Sequence, residues 1–285
     1  MRWSSVQSRE GAPPYIRIIT MSSPSHIVIN IPDIGETPST PATPFVDDDL
    51  TPLATEVLIS AANSCGFPVS YMQEQDGRLI HNIVPTHKTE YGQISTSSKN
   101  DLYLHTELAF HPYQPSHVIL LCLRGDETAG TTIASASEIV SHLDSESIDL
   151  LKQPFFETGI DESFQNDKNK DFKLVTPILI EDAAYKDDMK WTMNFDWQLM
   201  SPMNEDAGNA LNNFKSAVTN SIKTIILNRG DLMMIDNKRA IHGRTKFQPK
   251  YDGTDRWLKR IFAIKHMPPI QHIKGNMIIT EFSNG

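Results

Sequence analysis

Cysteine is scarce in this chain: Cys65 and Cys122 are the only two among 285 residues. Two thiols cannot build a disulfide framework or a thiolate zinc site, so a reducing, cytoplasmic setting is expected. Cys122 lies in the apolar run Val118 to Leu123 and reads as a buried thiol. Positive charge is also short. Lys and Arg number 26 against 35 Asp and Glu, a net charge of −9, which argues against a nucleic-acid or anionic-membrane surface. No apolar run approaches the roughly 20 residues of a membrane span, and the N-terminus lacks a basic-then-apolar leader pattern. Repeats and low-complexity domains are absent. The composition agrees with a soluble enzyme.

The length suits one large β-rich domain with helical additions. Residues 1–24 carry little pattern and are expected to be a disordered N-terminal extension, with Met21 as an alternative start. Residues 25–285 are expected to form a single domain, because the chemically informative residues straddle that length. Ile27 to Ile31 reads as a strand, and Pro32 to Pro44 as a loop. Leu50 to Ser64 reads as a helix with Leu50, Leu53, Val57 and Ala61 on its apolar face, stopped by Gly66. Short helices are expected over Ser135 to Leu143 and Ser147 to Lys152. Asp161 to Asp171 reads as a flexible, charged surface loop, Phe172 to Ile180 as a strand, and Glu205 to Ile222 as an amphipathic helix. Many short strands with breakers and few helices fit a mainly β fold, a double-stranded β-helix of jelly-roll type.

The chemistry concentrates in His105-Thr106-Glu107, His242 and Arg256. Two imidazoles and a carboxylate are the ligand set that holds non-haem Fe(II) and leaves positions open for oxygen chemistry. Asp101 to Phe110 reads as a strand running into a turn, so His105 and Glu107, two apart, would project into one cavity. His242 sits in a second strand-like run, Arg239 to Arg244. Arg256 and Arg260 lie four apart in a third and share a face. Two guanidiniums aimed into one cavity are costly unless anions meet them. Their planar forks suit carboxylates, which implies one carboxylate from a cosubstrate and one from a substrate.

The runs Gln93-Ile94-Ser95-Thr96, LHTELAFHP (104–112), VILLCLRGDETAGTTIAS (118–135) and DNKRAIHGRTKFQPKYDGTDRWLKR (236–260) together resemble the clavaminate synthase-like branch of the Fe(II)/2-oxoglutarate dioxygenases. The resemblance covers roughly residues 65 to 266. It implies that His105, Glu107 and His242 ligate Fe(II), and that Arg256 and Thr132 hold the distal carboxylate of 2-oxoglutarate. It also implies that Arg260 binds the α-carboxylate of an amino-acid substrate. Asp196 falls where the family places an acid for a substrate nitrogen, and Glu74 or Gln75 falls near the substrate amino group. The neighbour of Asp196 at the second position is Asn194, where an arginine-specific pocket has another acid. A carboxylate at position 107, where related halogenases have a small residue, points to hydroxylation.

The expected activity is therefore O2-dependent hydroxylation at the 3- or 4-position of a free L-amino acid such as arginine, lysine or asparagine. Desaturation or ring closure on a peptide-like or β-lactam precursor, and a non-catalytic binding module on the same barrel, are the alternatives. No nucleic-acid or membrane partner is expected.

Overall fold

Period-two alternation gives the chain many short strands. The computed structural model describes residues 17–23, 25–165, 169–273 and 275–279. In chain order its strands are β1 (Arg17–Ser23), β2 (His26–Asn30), β3 (Phe67–Tyr71), β4 (Ile80–Ile83), β5 (Leu102–His105), β6 (His117–Arg124), β7 (Thr131–Ser135), β8 (Phe156–Thr158), β9 (Leu174–Thr176), β10 (Leu179–Glu181), β11 (Trp191–Met193), β12 (Met200–Pro202), β13 (Lys223–Ile225), β14 (Asp231–Asp236), β15 (Ala240–Arg244), β16 (Trp257–Ile264), β17 (Gln271–Ile273) and β18 (Asn276–Ile279). The α-helices are α1 (Pro52–Cys65), α2 (Ala136–Ser141), α3 (Ser145–Leu151) and α4 (Glu205–Ser221).

A large sheet runs β1-β2-β14-β6-β16-β3-β18-β17, with β4 also pairing β16, and a smaller one runs β13-β7-β15-β5. Between them lies an apolar cluster drawn from both: Leu120, Cys122, Met233, Leu258 and Phe262 from the large sheet, Ile133 and Ala240 from the small one. Alternation sends the other side chains of β16 outward. Trp257, Ile261 and Ala263 pack with Ala54, Leu58 and Ala62 of α1. On the far side of the small sheet, Ala134 and Ile241 pack with Ala210, Phe214 and Val218 of α4. The result is a mainly β protein with two facing sheets and helices on the outer faces.

Local chemistry explains the helix limits. Pro52 opens α1, where its missing N–H costs nothing. The helix stops at Gly66, whose φ is +154°. A Cβ there would lie 2.3 Å from the Ile264 carbonyl oxygen, so only glycine lets the chain pass β16 this closely. The Asn204 side chain caps α4 by accepting from Ala207 N at 2.8 Å. Burying Phe214 alone stabilises the helix by about 1.5–3 kcal/mol.

Three expectations are corrected. The disordered extension falls mostly outside the described residues (1–16 and 24), but Arg17–Ser23 forms β1 against β2. The strand over 172–180 divides into β9 and β10 around Pro177, which has no N–H to continue a ladder. The polar run from Asp161 is not wholly a surface excursion: Phe164 is 1% exposed in the central cluster, and Asn169 is buried.

Candidate metal centre

The small sheet and the loop after β5 bring the triad together. In the antiparallel register of β5 and β15, His242 lies opposite His105. The pairing is tight because residue 243 is glycine: a Cβ there would sit 2.3 Å from the Leu102 carbonyl oxygen. The two imidazole centroids are 4.8 Å apart. Glu107 Oε2 lies 3.9 Å from His105 Nε2 and 3.5 Å from His242 Nε2. Among the described residues this is the one His/Cys/Asp/Glu group whose ligand atoms all fall within 4.8 Å of one another.

Glu107 does not reach this place as part of a strand, contrary to the two-residue repeat inferred above. β5 ends at His105, and the chain turns through Thr106 to Leu108, whose φ is +54°. Thr106 anchors that turn: its N–H donates to Phe195 O at 2.7 Å, and its hydroxyl accepts from Phe195 N at 3.1 Å.

The donor set fits a divalent metal ion. His105 Nδ1 lies 2.8 Å from Tyr103 O. A carbonyl only accepts, so Nδ1 carries the proton and the Nε2 lone pair faces Glu107. Burial works against charge on Glu107, but Arg260 and the two imidazoles hold its carboxyl well below the usual range. It is therefore an anion across the working pH range, as a ligand must be. Burial lowers the pKa of His242, which favours the neutral imidazole that binds metal. His105 is opposed by burial but carried above its ordinary value by Glu107 and Asp196, a bias that a cation at the site would reverse.

Arg256, the residue before β16, and Arg260 within it both point inward, and both are buried. Their surroundings differ. Arg256 has no carboxylate in salt-bridge range among the described residues; its contact is Nη2 to the Thr131 hydroxyl at 3.4 Å. Burial lowers its pKa to about 10. The threonine at Arg256 is thus Thr131 and not Thr132. In the β7–β15 register Thr131 faces Arg244 and Thr132 faces Gly243, so alternation turns Thr132 to the opposite side of the sheet. Arg244 adds a second buried guanidinium near this pocket, held by Ser97 Oγ at 2.8 Å and Asn100 O at 3.2 Å. Burial and the charge of Arg256 bring it to about 10.

Arg260 is enclosed by acids. Its Nη1 donates to Glu107 Oε1 at 3.2 Å, and its Nη2 to Glu74 Oε2 at 3.0 Å. Nη2 also lies 2.9 Å from His81 Nδ1. His81 Nε2 lies 3.0 Å from Arg78 O, so Nε2 bears the proton and Nδ1 accepts from the guanidinium. Burial and Arg260 depress the His81 pKa to about 3, keeping it neutral. Burial pushes the Glu74 carboxyl up to about 7 despite Arg260. Gln75 sits at φ +44° with its side-chain oxygen buried and unpartnered among the described residues.

Asp196 reaches the site beside His105 through an isolated β-bridge, and its Oδ1 accepts from Gln198 N and Leu199 N. Asn194 does not join it. Its oxygen accepts from Thr106 Oγ1 and Gln114 Nε2, and its amide donates to Ala109 O, all in the interior. Asp161, which the sequence reading missed, does join. Burial and the charge of Asp196 push it up to about 7, with Glu107 adding to the effect and His105 and Arg260 opposing it. The signal available was its flanks: Ile160 and Phe164 are apolar and anchor the start of the polar run in the core.

The family model described as Taurine catabolism dioxygenase TauD, TfdA family matches residues 45–262. An L-asparagine oxygenase of Streptomyces coelicolor is 34% identical over 229 residues, covering 79% of this chain and 66% of the relative. An L-lysine 3-hydroxylase of Catenulispora acidiphila is 34% identical over 228 residues, covering 78% and 63%. The chain thus spans just under two thirds of the length of these curated relatives. Among solved structures, asparagine oxygenase in complex with Fe(II), 2S,3S-3-hydroxyasparagine and succinate is similar, with a TM-score of 0.78 and 30% identity over 90% of this chain and 80% of that one. The non-heme iron oxygenase OrfP in complex with Fe and alpha-ketoglutaric acid is similar with a TM-score of 0.75 and 31% identity, over 85% and 75%.

Proposed function

We propose, because the chain belongs to the TauD, TfdA family of dioxygenases, that it is an Fe(II)- and 2-oxoglutarate-dependent oxygenase that hydroxylates the 3- or 4-position of a free L-amino acid. The observation that carries this reading is the cluster of His105, Glu107 and His242, with ligand atoms within 4.8 Å of one another. In it, His105 Nε2, His242 Nε2 and a Glu107 oxygen hold Fe(II), and the two facing sheets are the halves of a double-stranded β-helix core. Bound there, iron and 2-oxoglutarate supply the oxidising power that breaks an unactivated C–H bond.

The chain's own residues bind, orient and exclude water. Arg256, with Thr131, receives the distal carboxylate of 2-oxoglutarate, the anion that its uncompensated buried charge requires. Arg260 receives the substrate α-carboxylate, held in place by the neutral His81. Glu74 or Gln75 receives the α-amino group. The buried, unpartnered Gln75 oxygen supports that role.

Burial and the charge of Asp196 raise the cost of ionising Asp161, a cost that a cation beside it relieves. We therefore favour a basic side chain, as in lysine or arginine, over the amide of asparagine. Asn194 takes no part in that choice because its polar atoms are already engaged. The hydroxylases among the relatives support hydroxylation over desaturation or ring closure. The two free cysteines support a cytoplasmic setting, and among the described residues no helix is long and apolar enough to cross a membrane. Residues 25–285 are proposed as one domain.

The test is anaerobic reconstitution with Fe(II), then a mass-spectrometric screen of the twenty amino acids with 2-oxoglutarate and O2. The expected result is succinate formation coupled to a product heavier by about 16 mass units, for one inserted oxygen. Succinate formed without modification of any amino acid would remove the substrate class. Failure to bind Fe(II) would remove the oxygenase reading altogether.

A further inference from the structure

The turn from β14 to β15 holds a side chain that no functional reading above uses. Asn237 is 0% exposed, and both ends of its amide are committed. Its Oδ1 accepts from Glu107 N at 2.7 Å, and its Nδ2 donates to Glu107 O at 3.1 Å and to Pro115 O at 2.9 Å. The backbone of Asn237 is itself fixed, donating to Ser116 O at 2.9 Å.

This is a side chain acting as a β-strand partner. Glu107 has left β5, so its peptide N–H and C=O have no neighbouring strand to pair with in the buried turn. Left alone, each would be a buried unsatisfied polar group. One amide satisfies both, with a donor and an acceptor spaced like those of a peptide. The geometry has a second consequence. Asn237 lies in the turn that leads into β15, five residues before His242 of that strand, so the amide ties the backbone of one triad member to the segment that carries another.

We propose that Asn237 is a positioning residue for the metal centre: it fixes the backbone of Glu107 so that the carboxylate stands at chelating distance from His242. This rests on the metal reading above. A merely structural amide would lower stability without changing metal affinity in the folded chain. A positioning amide changes the affinity itself, because Glu107 is no longer held in the geometry for chelation.

The experiment compares Asn237→Ser with the unaltered chain in anaerobic isothermal titration with Fe(II), alongside amide hydrogen exchange of the metal-free chain. Leu58→Ala, on the buried face of α1 and in a different apolar cluster from the triad's surroundings, is the control for loss of stability alone. The expected result for Asn237→Ser is a dissociation constant for Fe(II) raised roughly 10-fold or more, with faster exchange at the Glu107 amide. Leu58→Ala should leave both unchanged. If Asn237→Ser does not fold, Asn237→Asp serves in its place. It keeps the acceptor for Glu107 N–H and sets an oxygen against the two carbonyls, so the same weakening is expected. A folded variant that binds Fe(II) within about twofold of the unaltered chain overturns the assignment, since such loss is then not tied to the site. An unaltered chain that binds no Fe(II) overturns the metal reading, a result distinct from the first.

Discussion

The two faces of β16 both bury cations, but under opposite conditions. On the outer face Lys259 is 0% exposed, and its ammonium meets Asp48 Oδ1 at 3.2 Å and Thr55 Oγ1 at 2.7 Å. Around it are Trp257, Ile261, Ala263 and the apolar face of α1. On the inner side Arg256, just before the strand, has a threonine hydroxyl and, among the described residues, no carboxylate in salt-bridge range, while Arg260 is crowded by Glu107, Glu74 and His81. The outer face is self-sufficient. The inner face is incomplete in charge, which on the proposed function is met by a divalent cation and by an anion for Arg256. The outer face of the strand holds a satisfied cation, while the inner face combines core residues Leu258 and Phe262 with a guanidinium crowded by acids.

Substitutions sharpen this division, beginning with the most severe. Glu107→Ala should abolish Fe(II) uptake and reduce turnover below detection while the chain still folds, measured by titration and thermal melting. A loss of folding in step with the loss of metal would break the comparison, since the inner face would then be structural. Arg256→Leu should weaken 2-oxoglutarate binding by about 2–5 kcal/mol, at least 30-fold in affinity. It should leave the melting temperature of the metal-free chain unchanged or higher, because an uncompensated buried charge is removed. Thr131→Val should weaken the same ligand slightly, and Thr132→Val should not, which tests the assignment of sheet faces. Leu58→Ala, on the outer side, should cost about 2–5 kcal/mol in chemical denaturation and leave metal and cosubstrate affinity intact.

The smallest effect concerns pH. Glu74 is raised from 4.5 to about 7 in the folded chain. A carboxyl with a raised folded pKa binds more protons folded than unfolded, so its contribution favours folding below the unfolded pKa. That contribution is lost as pH rises from about 4.5 to about 7. Glu74→Gln should therefore gain on the unaltered, metal-free chain across that window. The difference between the two stability curves isolates this group from His81, which acts in the opposite direction. A flat difference would show that Arg260 holds Glu74 ionised throughout.

Much of the site was legible where local periodicity decides orientation. Arg260 lies on the inner face of β16 and Arg256, just before that strand, turns to the same side, as the four-residue spacing suggests, and His242 lies in the strand expected for it. The α4 helix was legible from its apolar spacing. Features set by long-range pairing were not. His105 and Glu107 do converge, but through a turn held by Phe195 and Asn237 rather than by alternation along a strand. The choice between Thr131 and Thr132 depends on which face of β7 looks inward, and register with β15 settles it. Asp161 looked solvated because it opens a run that is mostly polar, whereas its surroundings come from Asp196, His105 and Arg260. Asn194 resembled a ligand-binding amide until its partners at Thr106, Gln114 and Ala109 were in view.

The rigidity of β16 has an evolutionary corollary. Arg256, the residue before β16, and Arg260 within it stand four residues apart, about 13 Å where the chain is extended, so on the proposed roles the start of this strand is a ruler between the two anchors. Any single-residue insertion or deletion within it would exchange Lys259 for Arg260 at the cavity and damage both faces at once. Divergence in substrate range is thereby channelled away from the ruler and into the segments that bear Glu74 and Asp161, where length and composition can drift without disturbing the spacing.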